Sequence, residues 1–349
     1  MEKIKRFLNC HVPVTACNLR CHYCYITQSK RWADKTPKFA LSPEDIGRAL
    51  SVKRLGGICL MNLCGGGETL IPAQVVDIVF ELLKAGHFVT IISNGTLSQR
   101  FDQLIAFPEE YKERLMVKFS FQYLELKRLN LMNRFFDNIK RVRNSGISIS
   151  VELVANDELI SEIPTIKQIC LKNLGALCHV VIPRVNNDPT LKILTKLSEK
   201  EFLDTWSSFD SPLFDFKRKI WSIPRKGEFC YAGAWSGALE LENGNLYQCH
   251  CGALIQNLYE DIETPLNDLP VGTKCSLAHC YNGHAFLGFG DIPEMGITPT
   301  YAEFRDRVCK DGTHWLTPRI QAFFKTKLYD SNKKWSKLKK FFYNKLGNK

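Results

Sequence analysis

Short apolar runs that are typical of β-strands alternate with amphipathic stretches that are typical of helices over about the first 200 residues. The predicted strands are Phe7–Val14, Gly57–Leu63, Phe88–Ile92, Leu115–Phe121, Ser148–Val154 and Cys178–Ile182. The predicted helices are Pro43–Val52, Pro72–Lys84, Leu97–Ile105, Leu131–Ser145 and Glu162–Asn173. Strands that alternate with helices favour βαβ units and a parallel sheet.

The number of these units indicates the type of barrel. Six predicted strands are fewer than the eight of a complete (β/α)8 barrel. We therefore expect an α/β fold, a partial (β/α)6 barrel, over residues 1–205. In such folds the active site lies at the C-terminal ends of the parallel strands, so the residues that follow the predicted strands are the first candidates for function.

The pattern changes after about residue 205. Aromatic residues, glycines and cysteines dominate Gly227–Gly290, and Asn243-Gly244 is a strong turn signal that predicts a hairpin. Periodicity is poor there, as expected of a small unit that is organised around a metal. We predict an auxiliary domain over residues 206–300 and a basic helical tail over residues 301–349.

Cysteine usage narrows the class of protein. The chain has 349 residues, of which 45% are hydrophobic and 24% charged, a balance that is typical of globular proteins. It contains fourteen cysteines, but neither a signal peptide nor an apolar run long enough to span a membrane. Cysteines in such a chain are more typical of metal binding than of disulfides, and we expect a cytoplasmic protein.

The net charge of +11 is concentrated in the tail. From Arg319 to the last residue, ten basic residues stand against one acidic residue, so the rest of the chain is nearly neutral. The overall charge is therefore weak evidence for binding to nucleic acid, which is not an expected partner.

The tail has the pattern of a basic amphipathic helix. Trp335, Leu338, Phe342 and Leu346 recur at helical spacing, with lysines on the remaining face. Such a helix can lie on an anionic membrane surface, which would place the protein at the periphery of the inner membrane surface. It can equally dock on the protein itself with its lysines in solvent. Binding to RNA is the least favoured interpretation.

Three cysteines lie on one short loop after the first predicted strand. Cys17, Cys21 and Cys24 have the spacing Cys-x3-Cys-x2-Cys. Thiolates select iron–sulfur clusters or zinc, and three of them leave one iron of a [4Fe–4S] cluster with an open position for a substrate or cosubstrate. The alternative is a zinc site that takes its fourth ligand from a distant residue or from His22.

With Tyr23 at the aromatic position, the loop resembles the Cys-x3-Cys-x-aromatic-Cys signature of the radical S-adenosylmethionine (SAM) superfamily. The resemblance implies that the open iron binds the amino and carboxylate groups of SAM, with Tyr23 near the adenine. It also implies that a low-potential electron donor drives cleavage of SAM to a 5′-deoxyadenosyl radical, which abstracts hydrogen from a C–H bond of the substrate.

A glycine-rich turn after the second predicted strand strengthens this resemblance. Gly66, Gly67 and Glu68 match the Gly-Gly-Glu element that holds the amino group of SAM in that superfamily. Asn94 matches a weaker tendency of that superfamily, which is an Asn-Gly pair after the third strand. Further expected SAM contacts, each also typical of an ordinary polar strand end, are Ser120, Gln122 and Glu152.

A second set of cysteines resembles the auxiliary-cluster domains of radical SAM enzymes, called SPASM or, in a shorter form, twitch. The set consists of Cys230, Cys249, Cys275 and Cys280. The dense closing run of cysteines of the full SPASM pattern is missing, so the resemblance is to the twitch form and implies one auxiliary [4Fe–4S] cluster on these four residues. Cys251 is an alternative to Cys249, and a zinc site is the alternative to the cluster.

The resemblance implies an oxidoreductase or epimerase. An auxiliary cluster that accepts an electron from the product radical leads to oxidation or cross-linking, whereas a thiol that returns a hydrogen atom leads to epimerisation. The candidate hydrogen donors are Cys64, Cys251 and Cys309.

Two features bear on the substrate and on the competing class of function. Cys17 lies too close to the first residue for a leader-peptide domain to precede the barrel, which slightly favours a sugar or small molecule over a ribosomal peptide. The peptide maturase, which cross-links or epimerises its substrate, is the alternative.

The competing class is a non-catalytic iron–sulfur electron-transfer or metal-binding scaffold, and the Gly-Gly-Glu element argues against it.

Overall fold

A sheet of nine strands is the central element of the computed structural model, which describes residues 2–33, 36, 38–250 and 252–346. The strands are β1 (Arg6–Val12), β2 (Cys59–Gly65), β3 (Phe88–Ser93), β4 (Leu115–Ser120), β5 (Ser148–Val154), β6 (His179–Val181), β7 (Ser236–Glu240), β8 (Asn245–Tyr247) and β9 (Leu254–Asn257). Within the described residues they lie in the order β6-β5-β4-β3-β2-β1-β7-β8-β9.

Strands β1 to β6 pair in parallel, each with the next. This confirms the predicted α/β fold and partial barrel. Strand β7 also pairs in parallel with β1, on the side opposite β2, and then forms the predicted hairpin with β8. The sequence does not predict this seventh parallel strand, because the turn at Asn243-Gly244 signals only the antiparallel partner. The sheet therefore continues across the predicted domain boundary at 205/206.

Helices connect the strands and cover the sheet. They are α1 (Tyr25–Gln28), α2 (Pro43–Ala49), α3 (Val52–Leu55), α4 (Gln74–Lys84), α5 (Ser98–Ile105), α6 (Glu109–Lys112), α7 (Tyr123–Arg128), α8 (Met132–Asn144), α9 (Ile163–Leu174), α10 (Glu199–Ser207), α11 (Pro212–Ile220), α12 (Gly283–Phe289), α13 (Tyr301–Arg305), α14 (Pro318–Phe324) and α15 (Lys337–Leu346). Short 3₁₀ helices occur at Asp157–Glu162, Pro293–Met295 and Leu328–Asp330. Helices α2, α4, α5, α8 and α9 correspond to the five predicted helices.

Alternate residues of each parallel strand face opposite sides of the sheet. On the outer side they form the main apolar core with helices α4, α5, α8 and α9. The buried strand residues of this core include Leu8, Met61, Ile91, Val117 and Ile149. A parallel sheet that is covered on both sides requires such continuous burial.

On the inner side, the first positions of the strands form an apolar floor. Phe88 of β3 stacks on Phe323 of α14 with 3.7 Å between the ring centroids. The other members of the floor include Phe7, Leu60, Met116, Phe286, Phe289, Tyr301 and Phe324. Much of the segment from Tyr301 to Leu328 thus contributes to the inner core, whereas the sequence predicts a separate tail from residue 301.

Further along the strands, the inner side becomes polar. Asn62 Nδ2 donates a hydrogen bond to Asn9 Oδ1 at 2.6 Å, and Thr90 Oγ1 donates to Asn62 Oδ1 at 2.7 Å. All three side chains are buried. The inner side therefore changes from an apolar floor to a polar layer as the strands approach their C-terminal ends.

Helix α15 and the segment before it dock on the protein through aromatic residues. The backbone N–H of Trp335 donates to the Tyr231 hydroxyl at 2.7 Å, and the Tyr343 hydroxyl donates to the Pro270 carbonyl at 2.7 Å. The rings of Trp335 and Tyr343 pack edge to face. Aromatic side chains with a polar group are well suited to such a contact, because they bury area and satisfy a hydrogen bond together.

The outward face of α15 carries apolar side chains. Leu338, Phe341 and Phe342 are 65%, 53% and 48% exposed. The face predicted from the sequence is thus split, since Trp335 packs inward while Leu338 and Phe342 face outward. Contact of this face with a membrane surface stays a prediction. Within the described part of the chain, no helix combines the length and the apolar character that crossing a bilayer requires.

Replacing Phe323 by alanine tests the placement of the C-terminal segment in the inner core. Phe323 is 1% exposed, so Phe323→Ala should lower the free energy of unfolding by about 3–5 kcal/mol through the lost contacts and the cavity left behind. Urea unfolding followed by circular dichroism measures the change. The control Phe341→Ala, on the outward face of α15, should change it by less than about 0.5 kcal/mol. Equal losses in both variants would contradict this placement.

His87 is a buried histidine that the fold keeps neutral. Its Nδ1 accepts a hydrogen bond from the Cys59 N–H at 3.1 Å, and its Nε2 lies 2.6 Å from the Leu50 carbonyl, to which it donates. Burial lowers the pKa of His87 to about 4. The unfolded chain therefore binds a proton more readily than the folded protein.

The pKa of His87 predicts a loss of stability in mild acid. Because the folded-state pKa lies below the ordinary value of about 6.5, the stability is present above that value and is lost as the pH falls towards 4. His87 should account for about 2 kcal/mol of lost unfolding free energy between about pH 7.5 and about pH 5. Urea unfolding at both pH values should show a smaller pH difference in His87→Gln. The same difference in both proteins would refute the assignment.

Candidate functional site

The cysteine loop follows β1 and lies where the parallel strands open onto a cavity of about 360 Å³, here called the main cavity. Cys17, Cys21 and Cys24 all line it. Residues at the C-terminal ends of β2 to β6 form much of the remaining wall. The site therefore lies at the edge of the sheet where the predicted fold places it.

The glycine turn after β2 packs directly against residues 14–16, which lead into the cysteine loop. The Gly67 N–H donates to the Val14 carbonyl at 2.6 Å, and the Glu68 N–H donates to the Ala16 carbonyl at 2.9 Å. A Cβ on Gly67 would lie 1.9 Å from the Ala16 carbonyl oxygen, whereas a Cβ on Gly66 would lie 3.0 Å from the Val14 oxygen. Glycine at position 67 is thus required by the close approach of two backbones.

Glu68 joins the glycine turn to the end of β3. Its carboxylate is buried and accepts hydrogen bonds from the Ser93 hydroxyl at 2.7 Å, the Asn94 N–H at 2.7 Å and the Leu70 N–H at 3.1 Å. Burial raises the pKa of Glu68, and these three donors oppose the rise. The carboxylate is therefore held in a fixed position in the wall of the main cavity.

Two further predicted residues contact the cysteine loop or its neighbours. Asn94 Nδ2 donates to Asn18 Oδ1 at 2.8 Å and to Cys17 Sγ at 3.7 Å. The Tyr23 hydroxyl donates to Gln122 Oε1, just after the end of β4. The structure thus brings the aromatic residue of the loop and the strand-end amides to the same cavity.

The three loop thiols are well suited to a metal cluster. Burial raises the pKa of Cys17 to about 11 and that of Cys21 to about 12. Such thiols lose their protons when a metal cation replaces them. Three thiols on one wall of an open cavity fit a cluster that is bound by three cysteines and accessible on its remaining side. Among the described residues, no three His, Cys, Asp or Glu side chains lie close enough together to hold a single metal ion.

Ser120 and Glu152 line the main cavity at the ends of β4 and β5. Glu152 forms an ion pair with Arg305, whose side chain is completely buried. Within the described residues, Nε and Nη2 of Arg305 have no hydrogen-bond partner. The sequence gives no signal for this pair, because the two residues are 153 positions apart.

Other ionisable residues of the main cavity are not predicted from the sequence either. They include Lys118, Arg184, Lys217 and His284. Lys118 does leave a signal, since a lysine interrupts the apolar run of β4, and a charged residue in a buried strand is rare without a partner. The others lie beyond β6 or on α11 and α12, where only the tertiary fold brings them to the site.

A second cavity of about 460 Å³, here called the inner cavity, lies between the strands and α12. It shares Tyr25, Lys118, Arg184 and His284 with the main cavity, so the two are contiguous. Cys64 lines this inner cavity and accepts a hydrogen bond from Asn9 Nδ2 at 3.3 Å. Burial raises the pKa of the Cys64 thiol.

The other two candidate hydrogen donors differ from Cys64. Cys309 lines neither cavity, and its thiol lies 3.3 Å from the Leu174 carbonyl and 3.3 Å from Arg143 Nη2. The structure therefore does not bring Cys309 to the site. Cys251 lies outside the described residues.

The second cysteine set converges on a separate cavity of about 50 Å³, here called the auxiliary cavity. Its wall includes all four predicted ligands, namely Cys230, Cys249, Cys275 and Cys280. Most of the other lining residues are apolar. Burial raises the pKa of Cys230 and of Cys280, and the charges of neighbouring thiols add to the effect. Four converging thiols in an apolar wall fit a cluster that is held by four cysteines.

Residues 12–166 match the model of the Radical SAM superfamily. This range includes the cysteine loop, the glycine turn and the ends of β2 to β5. No curated protein matches the chain.

Solved structures share the fold at low sequence identity. SuiB of Streptococcus suis bound to S-adenosylmethionine has a TM-score of 0.52 and 16% identity, and the match covers 74% of this chain and 64% of SuiB. SuiB bound to its precursor peptide SuiA has a TM-score of 0.51 and 16% identity, with coverages of 77% and 66%. Histidine-tagged anSMEcpe with bound AdoMet has a TM-score of 0.50 and 13% identity, with coverages of 74% and 79%. The chain thus spans less than two thirds of SuiB in its SAM-bound structure.

The residues that match the superfamily model include both the cysteine loop and the glycine turn, and the structure places these two elements at the main cavity. Residues 12–166 of this chain are therefore similar to the Radical SAM superfamily in motif and in fold.

Proposed function

We propose that the protein is a radical SAM enzyme with one auxiliary iron–sulfur cluster. Cys17, Cys21 and Cys24 would hold a catalytic [4Fe–4S] cluster, and SAM would bind at its open iron. When bound, SAM and the cluster supply a 5′-deoxyadenosyl radical that removes hydrogen from a C–H bond of the substrate, after one electron arrives from a low-potential donor. The chain's own residues would position SAM.

One observation carries the proposal. The three loop cysteines, the glycine turn and the strand-end residues Asn94, Ser120, Gln122 and Glu152 line a single cavity. These residues are spread over more than one hundred positions of the chain, and a scaffold for electron transfer would have no need to gather them. Such convergence of polar groups in a cavity at the strand ends is typical of an active site.

The residues of the site would have different roles in binding SAM and the cluster. Glu68 is a carboxylate held by three donors, and it can accept hydrogen bonds from the amino group of SAM. Tyr23, fixed by its hydrogen bond to Gln122, supplies an aromatic surface for the adenine. Asn94 donates to Cys17 Sγ and would stabilise the thiolate form of that ligand.

The auxiliary cavity lies beside the main cavity, and we propose that Cys230, Cys249, Cys275 and Cys280 hold the auxiliary cluster there. Asn282 lines the main, inner and auxiliary cavities alike. This shared wall supports transfer of an electron from a product radical to the auxiliary cluster. Oxidation is therefore the reaction that we favour, and we propose a sugar or other small molecule as the substrate, with a ribosomal peptide as the alternative.

Epimerisation is the second candidate reaction, and the position of Cys64 favours it. The Cys64 thiol lines the inner cavity, which supports it as the hydrogen donor. Return of a hydrogen atom from this thiol to a substrate radical would leave a thiyl radical, which an electron and a proton from the donor would restore.

Replacing Gly67 by alanine tests whether the glycine turn supports the cysteine loop. A Cβ at position 67 would overlap the Ala16 carbonyl, so Gly67→Ala should displace the loop and sharply lower the iron bound by the loop cysteines. The control Gly66→Ala places its Cβ at 3.0 Å from the nearest oxygen and should retain most of the iron. Iron and sulfide assays after anaerobic reconstitution measure the difference. Equal iron contents would show that the close approach is not required.

The decisive measurement is formation of 5′-deoxyadenosine from SAM by the anaerobically reconstituted protein with dithionite. We expect formation by the wild type, with about eight iron atoms per chain for two clusters. The triple variant Cys17→Ala/Cys21→Ala/Cys24→Ala should form none and should keep about four iron atoms on the auxiliary site.

A matched control separates cluster loss from general damage. Cys170 is a buried cysteine of α9 that lines none of the three cavities, so Cys170→Ala should keep both the iron content and the SAM cleavage. A fully iron-loaded wild type that does not cleave SAM would refute the enzymatic proposal and favour the scaffold. A triple variant without any iron would instead remove the auxiliary cluster from the proposal.

A further inference from the structure

The main cavity is lined by more basic than acidic side chains. Its cationic lining residues are Lys118, Arg184, Lys217 and Arg305. Lys118 and Lys217 are only 5% and 8% exposed, and Arg305 is completely buried. Among the described residues, the carboxylates that line the same cavity are Glu68 and Glu152.

Both carboxylates are already engaged. Glu152 pairs with Arg305, and Glu68 accepts three hydrogen bonds from the residues that follow β2 and β3. The side chains of Lys118 and Lys217 have no hydrogen-bond or ion-pair partner within the described part of the chain. Arg184 lies with its guanidinium 4.3 Å from the centre of the Tyr281 ring, and its buried Nε has no hydrogen-bond partner there.

These cations lie close to one another. Burial lowers the pKa of Lys217 to about 8 and that of Lys118 well below its usual range, and the charge of Arg184 adds to the effect on Lys217. Burial also lowers the pKa of His284, with further contributions from the charges of Lys217 and Lys118. Lys118, Arg184 and His284 also line the inner cavity, so the cluster lies at the junction of the two cavities.

A buried ammonium group without a partner costs several kcal/mol of free energy. An anion that enters the cavity would remove this cost, and three unpaired cations exceed what the single carboxylate of SAM can neutralise. We infer that Lys118, Arg184 and Lys217 form an anion-binding subsite, and that the substrate of the reaction proposed above carries a carboxylate or phosphate group that occupies it. This inference rests on the proposed function for the identity of the reaction, but the subsite itself can be tested separately.

The test uses the reconstituted holoprotein with inorganic phosphate and acetate as probes, followed by isothermal titration calorimetry. At least one of the two anions should bind saturably, and the tighter one identifies the group as phosphate or carboxylate. Lys118→Met and Lys217→Met should each weaken binding by about 10- to 100-fold, as expected for loss of a charge-assisted hydrogen bond. The control Lys140→Met, on the exposed side of α8, should bind like the wild type.

Three outcomes would overturn the inference. The first is that neither anion binds saturably, and the second is that both lysine variants bind as the wild type does. The third is displacement of the bound anion by saturating SAM, which would assign the cations to the carboxylate of SAM. If one of the two lysine variants does not fold, anion binding by the other variant is sufficient to test the inference. Formation of 5′-deoxyadenosine is measured on the same wild-type preparation, so failure of the proposed function is seen independently of anion binding.

Discussion

Both sides of the parallel sheet are covered, and this constraint governs where the chemistry can lie. Each strand has to supply one set of alternate residues to the outer core and the other set to the inner side. Along β4 the inner positions run from Met116 in the floor through Lys118 to Ser120 at the site. The functional wall is therefore built from every second residue near the strand ends, while the residues between them stabilise the fold.

Much of this arrangement could be predicted because its signals are local. Strand β5 is observed over the predicted residues Ser148–Val154, since a short apolar run bounded by polar residues has few alternatives. The cysteine loop and the glycine turn can also be recognised in the sequence, because the residues of each motif lie within a few positions of one another. Their convergence follows from the fold, since successive parallel strands end at the same edge of the sheet.

What could not be predicted depends on contacts between distant residues. The pairing of β7 with β1 and the ion pair of Glu152 with Arg305 leave no local pattern in the sequence. In the tail, helical periodicity identifies an apolar face but does not decide which residues pack. The structure packs Trp335 against Tyr343 and leaves Leu338 outside, because the aromatic residues find hydrogen bonds and ring contacts on the protein. Lys118 is the exception, because a lysine within the apolar run of β4 can be recognised in the sequence and indicates a polar surrounding.

The placement of the cations would also have a consequence for the two clusters that we propose. A [4Fe–4S] cluster held by thiolates can carry net negative charge, and the main cavity is lined by the loop cysteines and shares Asn282 with the auxiliary cavity. In an interior of low dielectric constant, that charge would repel an anionic substrate across several ångströms. Burial lowers the pKa of Lys217, but the charge of Cys280 opposes this change, which places Lys217 within electrostatic reach of the auxiliary site while it lines the main cavity. Buried lysines at this position would offset the repulsion and allow an anion to approach both clusters, which a neutral cavity wall would not.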